Sequence, residues 1–372
     1  MNIELLKNIE KFIQKLWLTS YTKDRLRLLL ERYEYCSKNK LNHYSYNIEE
    51  INKNEFNKHL IGFLDGDGIL RSGQRIGHKK GLFRFAPNMG LDVIIYDLNY
   101  LKLIKRMLLL PEDKKIYTSE KKATLLLSSE KELGLLIEIL DNNQSFISQK
   151  RVRDYKLLKK LLEYLDLTKL KKKDIIWKDK GLEIIKDLNT YNNLSSDEKI
   201  LNNIIKELSL DYIIGFIEAE GSFILHYNSK KNYIFNSFEI TQNKSNDLIL
   251  WGILEFIKKY NNPLIIKENV EIKTRGIVED KSKSRKQILS RLTLTNNDVL
   301  FNKIIPLMIS KDFYSKKQIN LIYWIFGVII CKDLKHSDEC LNLYFKIKEV
   351  INTNSTDLLD LNEILKIINK YL

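Results

Sequence analysis

A duplicated α+β fold is what this chain predicts, each half reading helix, two strands, helix, two strands, helix. Two short segments of one unusual pattern point to the duplication: Leu60-Ile61-Gly62-Phe63-Leu64-Asp65-Gly66-Asp67-Gly68 and Ile213-Ile214-Gly215-Phe216-Ile217-Glu218-Ala219-Glu220-Gly221, set 153 residues apart (220 minus 67). Each is followed by strand-like alternation and then by helical periodicity, in the same order. The length of 372 residues and the 44% apolar content leave room for two sizeable cores.

The elements follow in order. Ile3, Leu6, Ile9, Phe12, Ile13 and Leu16 fall at helical spacing, and a second helical run covers Lys23 to Tyr35. These belong to a helical N-terminal extension, residues 1–55, which a polar stretch closes. The first repeat is expected over 56–167. After its glycine-bearing helix, Ile69 to Arg75 and Lys79 to Pro87 read as strands, Asp97 to Leu110 as a helix stopped by Pro111, and Lys115 to Ser129 as two further strands. Glu130 to Leu140 and the basic run Ser148 to Leu165 complete it as helices. A basic, polar linker is expected over 168–208. The second repeat, 209–332, reads more clearly: strands at Ser222 to Asn228 and Tyr233 to Gln242, a helix at Asp247 to Tyr260, strands at Leu264 to Gly276 and Arg285 to Thr295, and a helix at Asp298 to Ile309. A helical C-terminal segment, 333–372, is expected to follow.

Composition narrows the partners. The net charge is +14 and the pI about 9.3, a balance that suits a polyanion, nucleic acid first. Half of the excess sits in Lys150 to Lys180, with 12 basic and 5 acidic residues. Cys36, Cys331 and Cys340 form no CxxC pair, which argues against a disulfide scaffold or a zinc site and fits a reducing compartment. Neither a secretory nor a transit peptide is evident. The longest strongly apolar run, Leu321 to Cys331, is about half the roughly 20 residues a membrane span needs. It reads as a buried helix, and no membrane partner is expected. The abundance of Lys, Asn, Ile and Leu fits A- and T-rich codons of the kind found in some organelle genomes.

Gly62 and Gly66 lie four apart, as do Gly215 and Ala219, so on a helix each pair shares a face narrow enough for backbone-to-backbone contact. The acids come last. Asp67 and Glu220 would stand at helix C-termini, where a carboxylate is disfavoured by about 0.3–1 kcal/mol. Two such groups brought together repel unless a cation lies between them. Converging hard oxygen ligands open to water suit Mg²⁺, with phosphate oxygens completing its shell. The implied chemistry is metal-assisted attack of water on a phosphodiester. A calcium loop is a poor alternative, because Ile76 occupies the position its bidentate glutamate would need.

With both copies present, residues 56–330 resemble a two-repeat LAGLIDADG homing endonuclease, whose name spells the repeated motif. The resemblance implies two pseudo-twofold-related repeats whose motif helices pair. It also implies that each repeat's four-stranded antiparallel sheet forms half of a saddle over the DNA major groove. The last acid of each motif, Asp67 and Glu220, is then the metal ligand and catalytic acid, while Asp65 and Glu218 take structural roles. Gln242, closing Phe238-Glu239-Ile240-Thr241, matches the polar residue that helps order the active-site water. Its first-repeat counterpart could be Asn88 or Asp92. Lys150 and Lys317 match the lysine placed near the scissile phosphates, 83 and 97 residues after their acids, where they would offset developing charge.

Five basic residues and no acid lie between Arg71 and Arg84: Arg71, Arg75, Lys79, Lys80 and Arg84. On the other half, Gln287, Arg291 and Thr293 are expected to face the groove while Ile288, Leu292 and Leu294 pack inward, with Arg285 as a further basic DNA-binding residue. The function so implied is a site-specific, Mg²⁺-dependent double-strand DNA endonuclease, monomeric because both repeats lie on one chain, and mitochondrial. The alternative is an RNA maturase that assists splicing of a group I intron. Retention of both acids favours the nuclease.

Overall fold

The computed structural model describes residues 3–39, 46–71, 74–76, 83–85, 87–143, 145–167, 183, 204–260, 277–281, 288–353 and 358–372. The chain divides into two compact units. One contains Met1–Tyr46, Glu220–Gln242 and Ile253–Leu372, the other Asn47–Ala219 and Asn243–Gly252.

In the unit built around Asn47–Ala219, helix α3 (Lys53–Asp67) starts where the Asn52 side chain accepts from the Asn54 and Glu55 amides. It leads into a four-stranded antiparallel sheet of order β1-β4-β6-β5, made of β1 (Gly68–Arg71), β4 (Asn88–Ile94), β5 (Ile116–Thr118) and β6 (Lys122–Leu127). Met89, Leu91, Ala123, Leu125 and Leu127 line its buried face. They pack with Tyr100, Leu101 and Ile104 of α4 (Leu98–Met107), the helix that contacts both β4 and β6. Helix α5 (Glu130–Asn142) begins with a reciprocal cap: Ser129 accepts from the Glu132 amide while the Glu132 carboxylate accepts from the Ser129 amide. Helix α6 (Gln149–Leu167) closes the repeat against β1.

The expected strand Lys79 to Pro87 is met at Phe83–Phe85, but the second strand of this sheet is Asn88–Ile94, beyond the expected bound. Asn88, Gly90 and Asp92 hide it, since all three residue types are depleted in strands. Ahead of it, β2 (Gln74–Ile76) and β3 (Phe83–Phe85) form their own two-stranded ladder. The two ladders keep one register. Gly68 pairs with Leu91 and Ile76 with Phe83, so eight residues forward on one side match eight back on the other.

In the other unit, β7 (Gly221–Asn228), β8 (Tyr233–Asn243), β9 (Ile277–Lys281) and β10 (Ile288–Leu294) form a four-stranded sheet of order β7-β8-β10-β9. Strand β7 follows directly on α7 (Leu210–Glu220). Phe223, Leu225, Phe238, Ile240, Leu292 and Leu294 are its buried face. They lie over the apolar helix α10 (Lys317–Ile329), whose Trp324 is fully buried and donates its indole N–H to the Ser237 carbonyl at 3.0 Å. The strand expected over Leu264 to Gly276 falls outside the described residues, and the observed edge strand starts at Ile277. The helices α8 (Asp247–Lys259) and α9 (residues 297–309) agree with expectation. In α9, Asn297–Val299 and Ile305–Ile309 flank a π-helical stretch, Leu300–Ile304.

The chain's two ends meet on this unit. Helices α1 (Ile3–Lys15) and α2 (Ser20–Lys38) from the N-terminus, and α11 (Asp338–Val350) and α12 (Leu361–Tyr371) from the C-terminus, pack together around α10. Tyr33 and Tyr323 share a hydrogen bond of 2.8 Å, and Phe12 packs on Phe326 with ring centroids 5.7 Å apart. No helix among the described residues is long and apolar enough to cross a membrane.

Candidate active site

The two glycine-bearing helices touch backbone to backbone. A Cβ added at Gly62 would lie far inside contact distance of the Tyr212 carbonyl and 3.0 Å from the Phe216 nitrogen. One added at Gly215 would meet the His59 carbonyl in the same way and lie 3.0 Å from the Phe63 nitrogen. The offsets are identical: each glycine faces the residues three before and one after its counterpart. That is a local twofold exchange, and only residues without a side chain permit it. Gly66 and Ala219, the second small positions, are half-buried.

A reciprocal clasp locks this seam. Tyr212, three residues before Gly215, donates its hydroxyl to Asp65, three residues after Gly62, at 2.5 Å. His59, three before Gly62, pairs with Glu218, three after Gly215, at 2.6 Å between Nε2 and Oε2. All four side chains are buried. Burial and then the Asp65 charge push the Tyr212 hydroxyl well above the usual phenol range, so it remains a donor.

Asp65 also fastens α6. Its carboxylate accepts from the Ile147 amide at 2.6 Å, the Ser148 amide at 3.0 Å and the Ser148 hydroxyl. An anion held by amides at a helix N-terminus is favourable. Arg151 completes the tie, donating to the Asp65 and Gly66 carbonyls at 3.3 and 3.1 Å.

Asp67 and Glu220 are the final residues of α3 and α7; Asp67 is exposed and Glu220 half-buried. Gly68 follows Asp67 with φ −62°, a conformation open to any residue. It must be glycine for another reason: its Cβ would stand 2.5 Å from the Leu64 carbonyl oxygen. Lys317, first residue of α10, donates its ammonium to the Gly221 carbonyl at 2.6 Å, one residue past Glu220. Lys150, second residue of α6, is exposed.

No protein-family model matches the chain. Several solved structures resemble it. The I-LtrWI LAGLIDADG homing endonuclease bound to target DNA has a TM-score of 0.63 to it, over 82% of this chain and 99% of that one, at 22% identity. The LAGLIDADG homing endonuclease I-GzeII in complex with its DNA target has a TM-score of 0.62, over 81% and 99%, at 19% identity. This chain has the LAGLIDADG homing-endonuclease fold. Among curated proteins it is similar to a probable intron-encoded endonuclease, Cox1-I1b, of Schizosaccharomyces pombe, with 32% identity over 246 residues, 64% of this chain and 59% of that protein. It is also similar to an uncharacterised mitochondrial protein, RF1, of Saccharomyces cerevisiae, with 28% identity over 326 residues, 85% of this chain and 63% of that protein. The chain thus spans about six-tenths of the length of the curated relatives it matches.

The LAGLIDADG geometry sharpens several expectations. Gln242 is buried and lies two residues past Ile240, the register partner of Gly221. In the first sheet Gly68 pairs with Leu91, so the matching position is Val93. Neither Asn88 nor Asp92 occupies it. Asp92 instead holds Lys122 at 2.5 Å and accepts from the Thr124 hydroxyl at 2.6 Å. On β10, Leu292 and Leu294 are buried as expected, whereas Ile288 is exposed because it ends the β9–β10 ladder opposite Lys281. Arg291 lies 3.5 Å from Glu239 across the sheet. Register sets Arg71 opposite Asn88 and Arg75 opposite Arg84. Lys79, Lys80, Arg285 and Gln287 fall outside the described residues, as does most of the linker expected at 168–208.

Sequence reasoning did not single out His59, Tyr212, Ser148 or Arg151 as contributors to the seam. The signal was present for two of them: His59 and Tyr212 share one offset from their glycines, and Asp65 and Glu218 share its mirror image.

Proposed function

We propose that this chain is a site-specific double-strand DNA homing endonuclease that acts in mitochondria as a monomer, its repeats spanning 56–167 and 209–332. The observation that carries the reading is the glycine-packed, doubly clasped pair of motif helices, each ending on a carboxylate. Asp67 and Glu220 hold divalent cations, with Mg²⁺ the best match to oxygen donors open to water. The donor set fits this. It is two carboxylates, one ending each motif helix, to which water and phosphate oxygens would add the remaining ligands. When bound, such an ion lowers the pKa of a coordinated water and neutralises charge on the phosphate.

The chain's own residues do the rest. Lys317, at the end of the second motif helix, and Lys150, at the start of α6, offset charge as the phosphodiester breaks. Gln242 orients the attacking water on its side. The basic stretch with Arg71, Arg75, Lys79, Lys80 and Arg84 contributes phosphate contacts and affinity, as does Arg285. Gln287 and Arg291 read base edges on the second sheet.

Cleavage of a randomised double-stranded DNA library in Mg²⁺ is the test. One asymmetric site should be enriched among cut molecules, and omission of divalent cation should abolish cutting. Tight binding of structured intron RNA with no DNA cleavage would replace this reading with the maturase.

A further inference from the structure

Tyr21, Arg25, Arg32 and Tyr46 lie outside the duplicated unit, yet their side chains converge on one short connector, residues 309–318, that leads into the helix beginning at Lys317. Arg25 and Arg32 both donate to Asp312 Oδ1, at 2.7 and 2.6 Å. Arg25 Nε also donates to the Ile309 carbonyl at 2.9 Å, and the Tyr21 hydroxyl to the Ser310 carbonyl at 3.4 Å. The Tyr46 hydroxyl lies 2.5 Å from the Phe313 carbonyl and 2.7 Å from Gln318 Oε1. Its ring meets Tyr314 edge-on at 4.8 Å and carries the Arg32 guanidinium at 4.7 Å. Burial works against a charge on Asp312, but Arg32 and Arg25 outweigh it and hold the carboxyl below its ordinary range.

The connector itself has no regular secondary structure between Ser310 and Lys316. Its shape therefore depends on the side chains that grip it. Beyond it the two lysines part: Lys316 donates to the Thr353 carbonyl and Lys317 to the Gly221 carbonyl, each at 2.6 Å. Gly221 directly follows Glu220, so the ammonium of Lys317, at the junction of the connector and its helix, is anchored one residue past the second motif acid.

We propose that the N-terminal helices are a positioning element for cleavage. Arg25, Arg32 and Tyr46 fix the 309–318 connector and, through it, the ammonium of Lys317 at the end of the second motif helix. The inference rests on the reading of Lys317 and Glu220 as active-site groups. A mere brace would act differently. The contacts of Tyr33 with Tyr323 and with the Leu359 carbonyl also tie the extension to this unit, but they do not lead to the connector.

The test is strand-resolved, single-turnover cleavage of a target duplex by the full chain, with DNA affinity and thermal melting measured in parallel. Lys317→Met identifies the strand that depends on this lysine. Arg25→Ala with Arg32→Ala, and separately the milder Tyr46→Phe, should slow that same strand about tenfold, as a small misplacement of a catalytic group does. The other strand and the DNA affinity should be little changed, and Arg32→Lys should recover part of the rate. Equal loss on both strands, or a pattern reproduced by Tyr33→Phe, would overturn the inference while Lys317→Met still skews the strands. If Lys317→Met alters neither strand, the active-site reading fails and this inference with it.

Discussion

At the scale of single residues, the seam between α3 and α7 separates two kinds of glycine. Gly62 and Gly215 face carbonyl oxygens with no space for a methyl group, whereas Gly134 in α5 has nothing within 4 Å of its missing Cβ. Gly62→Ala should therefore force the helices apart and cost about 3 kcal/mol or more by overpacking. Gly134→Ala should raise stability by about 0.5–1 kcal/mol, through helix propensity alone. Denaturant unfolding of the two variants beside wild type checks both signs. The clasp makes a finer prediction. Tyr212→Phe removes one of the donors to the Asp65 carboxylate and should cost about 1–3 kcal/mol, while Asp65→Ala should cost more because it also releases the start of α6. The small-residue spacing was legible from the chain. The clasp was not, because a lone buried histidine or tyrosine on an apolar helix reads as core until its partner on another helix is known.

Elements carry the asymmetry between the repeats. In the second sheet the strands expected at Ser222 to Asn228 and Tyr233 to Gln242 were legible from the chain and match Gly221–Asn228 and Tyr233–Asn243. In the first sheet, Asn88, Gly90 and Asp92 masked the strand, and the register that resulted puts Val93 where the second repeat has Gln242. Helix α5 offers an element-scale test of electrostatics. Burial pushes the Glu132 carboxyl up, but Lys114 at 2.5 Å and the Ser128 and Ser129 amides hold it down to about 2, below its ordinary 4.5. A depressed folded-state pKa contributes stability that is fully present above about 4.5 and fades as pH falls toward 2. Wild type should thus lose melting temperature between pH 5 and about 2 more steeply than Glu132→Gln, which is already weakened at pH 7. Parallel curves for the two proteins would show that the cap does not depend on this charge.

For the molecule as a whole, the duplication and the basic charge were legible, because a repeated motif and a +14 surplus need no tertiary information. The roles of the two ends were not. Helices α1, α2, α11 and α12 gather around α10 through contacts such as Asn8 with Asn362 and Lys15 with the Asn369 carbonyl, more than 350 residues apart in sequence. No local pattern announces such pairings. A basic chain that grips phosphates should also bind with a steep salt dependence, its affinity falling by about 10³ or more between 50 and 200 mM salt if six or more phosphates are neutralised. Filter binding at several ionic strengths reads this slope. The central claim, however, is that the acids ending the paired motif helices perform the hydrolysis. Single-turnover cleavage of a selected target by wild type, Asp67→Asn and Glu220→Gln measures it most directly. The account predicts that both variants bind the target as wild type does and lose about 10² or more in cleavage rate, as expected when a catalytic charge is removed. Wild-type cutting by either variant, at unchanged affinity, would contradict it.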